Sequence, residues 1–175
     1  MTEKKANILK AALELFAKEG YRTTSTSKVA QLADVSEGLI FRHFKNKEGL
    51  LEAIINQGEE KAQQLFAEVI QANDPKTVIR NFLDISNKLS TNKEEADFWK
   101  LQYKIKWELE AYSNQKMAPV HQALTTAFRE LSYAQPEKEA SLMILYLDGI
   151  ATQFFLNEIF DFETSISFLK EKYKL

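Results

Sequence analysis

The chain has 175 residues, of which 45% are hydrophobic, so it is long enough to bury a substantial core. Only five glycines and three prolines interrupt it, which favours long helices and predicts an all-α fold. The absence of cysteine excludes a disulfide framework, a thiolate metal site and a cysteine nucleophile, and it favours a reducing cytoplasm. The N-terminus has no apolar signal core and no run of 18 apolar residues follows, so we expect a soluble, cytoplasmic protein without a membrane partner.

Charge is unevenly distributed along the chain. Residues 1–50 contain nine Lys and Arg against six Asp and Glu, whereas the remainder contains fourteen against nineteen. A basic front on a larger acidic part is consistent with a DNA contact in the first part and another role in the second.

The first four predicted elements are three short helices followed by a long one. Apolar residues recur at helical spacing over residues 3–19, and Gly20 then predicts a left-handed C-cap. The other boundaries follow from capping residues: Thr24–Ser27 precede a second helix that stops at Asp34, Glu37–Phe44 form a third helix, and Asn46 caps a fourth from Lys47 to about Ala72.

Helices are also predicted for the rest of the chain. Asp74-Pro75 opens a helix to about Leu89, and a capping box at Thr91–Glu94 begins the next. Further breaks are predicted at Ser113-Asn114 and Gln135-Pro136. A helix over residues 137–158 follows, and a turn at Asn157–Asp161 precedes the last helix.

The second and third helices have the pattern of a helix-turn-helix, which presents its second helix to the major groove. Ala30 is small where the two helices cross, and Asp34 lies where the turn needs a left-handed backbone. Ile40 and Phe44 are four residues apart and are expected to face the core. The side chains then expected to point outward are Glu37, Gly38, Leu39, Arg42 and His43.

The segment Thr24–Glu48 resembles the signature of the TetR family of transcription regulators, and the resemblance covers roughly residues 6–55 in order. It departs from the family pattern at two positions. Asp34 replaces the usual turn glycine, and Phe41 stands where a tyrosine hydroxyl commonly reaches a phosphate. The resemblance implies a homodimeric DNA-binding repressor that a small molecule releases from a palindromic operator.

The resemblance also implies DNA contacts by specific residues. Arg42 suits a guanine edge or a phosphate, Leu39 a thymine methyl and Glu37 the N4 amino group of cytosine. A solvated charged surface is the alternative interpretation of these side chains. The full set of expected contacts is Ser25, Thr26, Lys28, Ser36, Glu37, Gly38, Leu39, Phe41, Arg42, His43, Lys45 and Lys47.

Residues 1–47 are accordingly predicted to be the DNA-binding domain and residues 48–175 a helical effector-binding and dimerisation domain. Trp99, Tyr103 and Trp107 form an aromatic stripe beside the main apolar stripe of the same predicted helix, and the two stripes together are wider than one core face. These three residues are candidates to line a pocket for an apolar or aromatic effector. Core or subunit interface is an equal alternative for this stripe.

Dimerisation is predicted to involve the last two helices, about residues 137–173. Residues 140–156 are too apolar for a helix with one solvated face, and two such helical hairpins would form a four-helix bundle. The predicted interface includes the stripe Phe162, Ile166, Leu169 and Tyr173.

Two other classes of protein compete with a regulator. An enzyme needs a nucleophile with a base, a phosphate-binding loop or a metal cluster, and none is visible. His43 and His121 lie far apart in sequence, so neither a metal nor a cofactor is expected. A helical interaction module explains the aromatic helices but not the ordered signature at residues 24–48.

Overall fold

A computed structural model describes residues 2–89, 92–108, 114–156 and 162–175, with the backbone alone for residues 105–108 and 114–115. Every regular element in these ranges is helical, as predicted. The elements are α1 (Glu3–Glu19), α2 (Thr26–Leu32), α3 (Glu37–Phe44), α4 (Lys47–Ile70), α5 (Pro75–Leu83), α6 (Ile85–Leu89), α7 (Lys93–Glu108), a 3-10 turn (Asn114–Met117), α8 (Ala118–Glu130), α9 (Pro136–Leu156) and α10 (Phe162–Lys172).

The boundaries of α1 and α3 are those expected, but the predicted helix from Pro75 to Leu89 is wrong. It is divided at Asp84, whose carboxylate accepts from Lys170 Nζ on α10 at 2.6 Å. The Ser86 hydroxyl donates to the Leu83 carbonyl at 2.8 Å, which satisfies a backbone acceptor at the break.

Side-chain caps begin both α5 and α7. At the start of α5, the hydroxyl and N–H of Thr77 donate to Asp74, and these bonds hold the pKa of that carboxyl below its usual value. Asn92 Oδ1 accepts from the Glu95 N–H at 3.0 Å and caps α7. The predicted capping box begins at Thr91, and Thr91 and the predicted turn at residues 157–161 lie outside the described residues.

Two compact units make up the chain. The first unit combines Met1–Lys61 with Asn92–Ala111, and the second combines Ala62–Thr91 with Tyr112–Leu175. The two units are defined by how the chain packs and not by function. The predicted division into a DNA-binding domain up to residue 47 and an effector-binding domain from residue 48 therefore stays a prediction. The first unit has its own core, to which α7 contributes Leu101 among residues of α1–α4.

The second unit packs α5, α8, α9 and α10 around Phe82 and Phe128. The hydroxyl of Tyr173 donates to Glu139 at 2.9 Å, and burial together with this bond raises the pKa of Tyr173 above its usual value. The tyrosine therefore stays protonated and fixes the end of the last helix to α9.

Within the second unit, the predicted interface stripe on α10 turns out to be core. Ile166, Leu169 and Tyr173 are each 3% exposed in the single chain, and Phe162 packs against the same core. The periodicity marked a buried face correctly, but the face is buried by α5, α8 and α9 rather than by a second subunit.

Helix α9 has the opposite arrangement. One face buries Met143, Ile150 and Phe155, whereas the other leaves Leu145 68% and Leu156 80% exposed. The sequence predicted a helix covered on both sides, so this exposed apolar face lacks a cover in the single chain. By length and composition alone α9 is also long and apolar enough to cross a membrane, as core helices of soluble proteins can be.

Candidate nucleic-acid interface

Helix α1 forms the base on which the two short helices rest. Its apolar face places Ile8, Ala12 and Phe16 in the core of the first unit, and Gly20 ends it with a φ of +93°. The hydroxyl of Thr24, which is buried, donates to the Gly20 carbonyl at 2.9 Å. This bond fixes the chain between α1 and α2, and therefore the place where α2 begins.

The turn between α2 and α3 has the predicted geometry. Asp34 has a φ of +52°, which is the left-handed conformation expected at this position. The N–H of Val35 donates to the Ala30 carbonyl at 3.0 Å, and Ala30 is buried at the crossing. A small residue at position 30 thus allows the two helices to approach closely.

Helix α3 has one buried face and one exposed face. Ile40 and Phe44 point into the core, as predicted. Gly38 and Arg42 are exposed, and Phe41 is 45% exposed although it is a large apolar side chain. Arg42 is one helical turn beyond Gly38, so the exposed face offers a cation beside a position without a side chain.

Three of the expected contacts on α3 are only half exposed. Leu39 packs partly on the core of the first unit, and the His43 ring lies 6.1 Å from that of Phe44. Glu37, the first residue of α3, accepts a hydrogen bond from Thr26 Oγ1 at 2.6 Å. The exposed face is therefore narrower than the five outward residues predicted from helical spacing.

The start of α2 contains a cap and an ion pair. Ser25 Oγ accepts from the N–H of Lys28 at 3.2 Å, which confirms that an N-cap residue begins this helix. Lys28 Nζ pairs with the Glu19 carboxylate at 2.6 Å. This ammonium group is therefore directed toward the end of α1, an arrangement that the sequence did not predict.

The start of α4 adds further basic groups to the same unit. Asn46 Oδ1 accepts from the Gly49 N–H at 2.7 Å and caps α4 as expected. Lys47 Nζ donates to the Arg22 carbonyl at 3.3 Å and lies 4.5 Å from the centre of the Tyr21 ring. Lys45 is exposed and has a φ of +70°. Its positive φ had no signal in the sequence, because lysine rarely adopts this conformation.

Gly49 is required by close packing between α3 and α4. A Cβ atom at this position would lie 2.0 Å from the Phe44 carbonyl oxygen. Only glycine therefore allows α4 to begin where it does, directly behind the last turn of α3.

The aromatic stripe predicted to line a pocket lies on α7, in the first unit. Trp99 and Tyr103 are half-buried, and the rings of Phe98 and Trp99 pack edge to face at 5.1 Å. The Trp107 side chain lies outside the described residues. Lys104 Nζ donates to the Ala17 carbonyl near the end of α1, so α7 is attached to the base of the helix-turn-helix.

A groove of 420 Å³ lies in the second unit, between the start of α5 and α8. Its walls combine apolar, uncharged polar and acidic side chains, among them Ile70, Val78, Gln122, Thr126 and Glu130. Sequence reasoning did not single out these residues. Among the described residues no group of three His, Asp or Glu side chains is placed to hold a metal ion.

A capped second helix, a left-handed turn and an exposed third helix on a common base define an all-α helix-turn-helix protein. The family model described as "Bacterial regulatory proteins, tetR family" matches residues 8–54. Over this N-terminal region the chain is therefore similar to TetR-family regulatory proteins.

A curated relative is similar to part of the chain. The transcriptional regulator YvkB of Bacillus subtilis is 56% identical over 50 residues, which are 29% of this chain and 26% of YvkB. The sequence match therefore spans about a quarter of that protein.

Solved structures share the fold of the whole chain. NalD of Pseudomonas aeruginosa, the secondary repressor of the MexAB-OprM multidrug efflux pump, has a TM-score of 0.70 at 20% identity and covers 97% of this chain and 93% of its own. A transcriptional regulator from Saccharomonospora viridis in complex with choline has a TM-score of 0.78 at 18% identity and covers 98% of this chain and 95% of its own.

Proposed function

We propose that the protein is a cytoplasmic transcriptional repressor that binds a palindromic operator as a homodimer and leaves it when a small apolar or aromatic molecule binds. The exposed face of α3 carries this proposal. Gly38, Phe41 and Arg42 are presented to solvent on a helix whose opposite face is fixed in the core. An α-helix presented in this way fits the major groove, and its N-terminal residues reach base edges.

The expected DNA contacts retain different roles under this proposal. Ser25 and Ser36 precede α2 and α3, where hydroxyl and backbone N–H groups suit phosphate oxygens. Gly38 lets the backbone approach the DNA, and Leu39 and Phe41 offer apolar contacts. Phosphate contacts are proposed for Lys28, His43, Lys45 and Lys47.

A second copy of the chain is the proposed cover for the exposed face of α9. Leu142, Leu145 and Tyr146 lie on this face, and Phe168 on α10 is also exposed. A Cβ atom at Gly149 would meet nothing within 4 Å, so a second helix has room to approach there. Two copies of α9 and α10 would form the four-helix bundle expected for the last two helices.

The proposed effector site is the aromatic stripe on α7. Two contacts join α7 to α1: Lys104 Nζ donates to the Ala17 carbonyl, and Lys10 forms an ion pair with Glu94 at 3.5 Å. A ligand that contacts Trp99 or Tyr103 would therefore act on a helix attached to α1. Aromatic side chains bind apolar and aromatic molecules, and they also bind quaternary ammonium groups. The choline complex of the Saccharomonospora regulator makes choline a reasonable first probe.

The first experiment selects duplexes from a randomised DNA library with the full-length protein. Enrichment of a two-fold symmetric sequence, with half-sites about one helical turn or a small multiple of it apart, would support the proposal. Gly38→Glu places a carboxylate on the exposed face and is expected to abolish the enrichment, whereas Gln63→Glu changes an exposed residue of α4 and is not. A chain that enriches no duplex at any salt concentration would contradict the proposed function.

A second experiment tests the effector site on the enriched operator. Choline and a panel of apolar aromatic compounds are screened for release of the DNA and for quenching of tryptophan fluorescence. Trp99→Ala, Tyr103→Ala and Trp107→Ala are then compared with the unaltered chain. If an effector is found and all three variants retain its affinity and its effect on DNA binding, the aromatic stripe is core and the effector binds elsewhere.

A further inference from the structure

A hydrogen bond joins the first residues of the two short helices. Thr26 opens α2 and Glu37 opens α3, and the Thr26 hydroxyl donates to Glu37 Oε1 at 2.6 Å. Both side chains are half-buried, so the bond lies at the edge of the surface proposed to face DNA. Glu37 is also in the first turn of α3, where the helix dipole favours a negative charge.

This bond argues against a phosphate contact by Thr26. A hydroxyl has one hydrogen to donate, and in Thr26 it is directed to Glu37. A phosphate approaching Thr26 would also meet the negative charge of that carboxylate. Ser25 is better placed, because its oxygen accepts from the Lys28 N–H and leaves its hydrogen for donation to a phosphate.

The same bond fixes the orientation of Glu37. An ionised carboxylate only accepts hydrogen bonds, and the Thr26 hydroxyl donates to one of the two carboxylate oxygens of Glu37. The remaining lone pairs suit a donor at the edge of a base. In the major groove the donor that pairs with glutamate is the N4 amino group of cytosine, whereas the O6 and N7 atoms of guanine are acceptors and repel it.

We infer that Glu37 reads a cytosine in each half-site and that Thr26 is the positioning residue that holds the Glu37 carboxylate for this contact. The inference rests on the proposed function, because it requires sequence-specific DNA binding. It changes the role of Thr26 from a contact that strengthens binding to every sequence into one that affects a single base pair. Those two roles give different results in a selection experiment.

The test compares duplex selection by the full chain and by three variants. Glu37→Gln keeps the shape of the side chain but adds a donor, and an amide pairs with adenine through N6 and N7. The position at which cytosine is replaced by adenine therefore identifies the base pair that residue 37 contacts. Thr26→Val removes the hydroxyl at nearly constant volume, and Thr26→Ser restores it.

We expect Thr26→Val to lower the preference for cytosine at that position by about tenfold and to leave the other positions unchanged. Thr26→Ser should keep the preference, and circular dichroism should find both variants folded. Uniform weakening of Thr26→Val on all sequences would identify Thr26 as a phosphate contact and overturn the inference. A Thr26→Val selection identical to that of the unaltered chain would also overturn it, and so would the absence of cytosine at the position that Glu37→Gln changes.

Failure of the proposed function is distinguishable from failure of this inference. If the unaltered chain enriches no duplex, specific DNA binding is absent, and both the proposed function and this inference are wrong. If it enriches a palindrome that Thr26→Val and Glu37→Gln leave unchanged, the regulator stands and only the reading of cytosine by Glu37 is wrong.

Discussion

Asp34 is held in a conformation that glycine adopts without steric penalty. At a φ of +52° the Cβ atom of an L-residue is crowded by its own backbone, which costs about 1 kcal/mol, although aspartate tolerates this region better than most residues. We therefore expect Asp34→Gly to raise the free energy of unfolding by up to about 1 kcal/mol in urea denaturation followed by circular dichroism. The control is Glu14→Gly at an exposed position inside α1, which should lower the stability by about 1 kcal/mol.

A loss of stability in Asp34→Gly would mean that the aspartate side chain stabilises the turn by more than its backbone strain. The measurement thus separates conformational strain from side-chain interactions at this turn.

Arg42 can act on DNA in two ways, and its exposure on α3 is compatible with both. If its guanidinium group forms a pair of hydrogen bonds with guanine, Arg42→Ala should reduce affinity by roughly 1–3 kcal/mol at that base pair and relax the preference there. The measurement is competition binding between the selected operator and single-base variants. Equal weakening on all duplexes would instead identify a phosphate contact, and no weakening would remove Arg42 from the interface.

At the scale of the helices, the exposed face of α9 and the buried face of α10 lead to opposite predictions for two substitutions of the same kind. Leu145 is 68% exposed in the single chain and Ile166 is 3% exposed. Leu145→Glu should give monomers that retain their helical content, because the carboxylate reaches water once the subunits separate. Ile166→Glu places a charge in the core of the second unit and should destabilise it by several kcal/mol.

Sedimentation velocity and thermal unfolding together distinguish these outcomes. Gln122→Glu adds the same charge at an exposed position of α8 and should change neither the sedimentation nor the melting temperature. A Leu145→Glu variant that stays dimeric would place the subunit contact elsewhere. Association of the unaltered chain with lipid vesicles, if Leu145→Glu abolishes it, would instead indicate that α9 meets a membrane.

Several helices were predictable because local signals mark where they begin. The caps at Ser25, Asn46 and Asp74 act within four residues of the bonds they form, and a single sequence contains that information. The partner of an apolar face is different, since it depends on residues far away in the chain. This is why the stripe that contains Ile166 was correctly predicted to be buried but wrongly assigned to the interface between subunits.

The local geometry of the candidate nucleic-acid interface was predictable to a similar degree. Spacing identified Ile40 and Phe44 as core, and the N-cap pattern located the start of α2. It could not predict that Lys28 pairs with Glu19 or that Thr26 donates to Glu37, because each bond joins side chains nine or more positions apart. The positive φ of Lys45 also had no signal, since the residue type does not favour it.

At the scale of the whole molecule, binding of effector and DNA must be reciprocal. If an effector weakens operator binding by a given factor, the operator weakens effector binding by the same factor. We expect a coupling free energy of about 1–3 kcal/mol, measured as the change in effector affinity with and without the selected duplex. Lys104→Met removes the bond from α7 to the Ala17 carbonyl and should reduce this coupling while leaving the affinity for DNA alone nearly unchanged.

Lys93→Met is a suitable control, because Lys93 is also on α7 but pairs with Asp97 of the same helix. If Lys104→Met and Lys93→Met retain the full coupling, the attachment of α7 to α1 does not transmit the effect of the ligand.

The first unit is assembled from two stretches of chain that are separated by a stretch belonging to the second unit. During synthesis the helix-turn-helix leaves the ribosome well before Leu101, so its core stays incomplete until part of the second unit has also been made. The same topology limits the transfer of the helix-turn-helix from one regulator to another, because a transferred segment that ends near residue 61 would lack Leu101 and Lys104. A hybrid with a new operator preference is therefore best made by exchanging only the exposed residues of α2 and α3, which keeps the face beneath α7 intact.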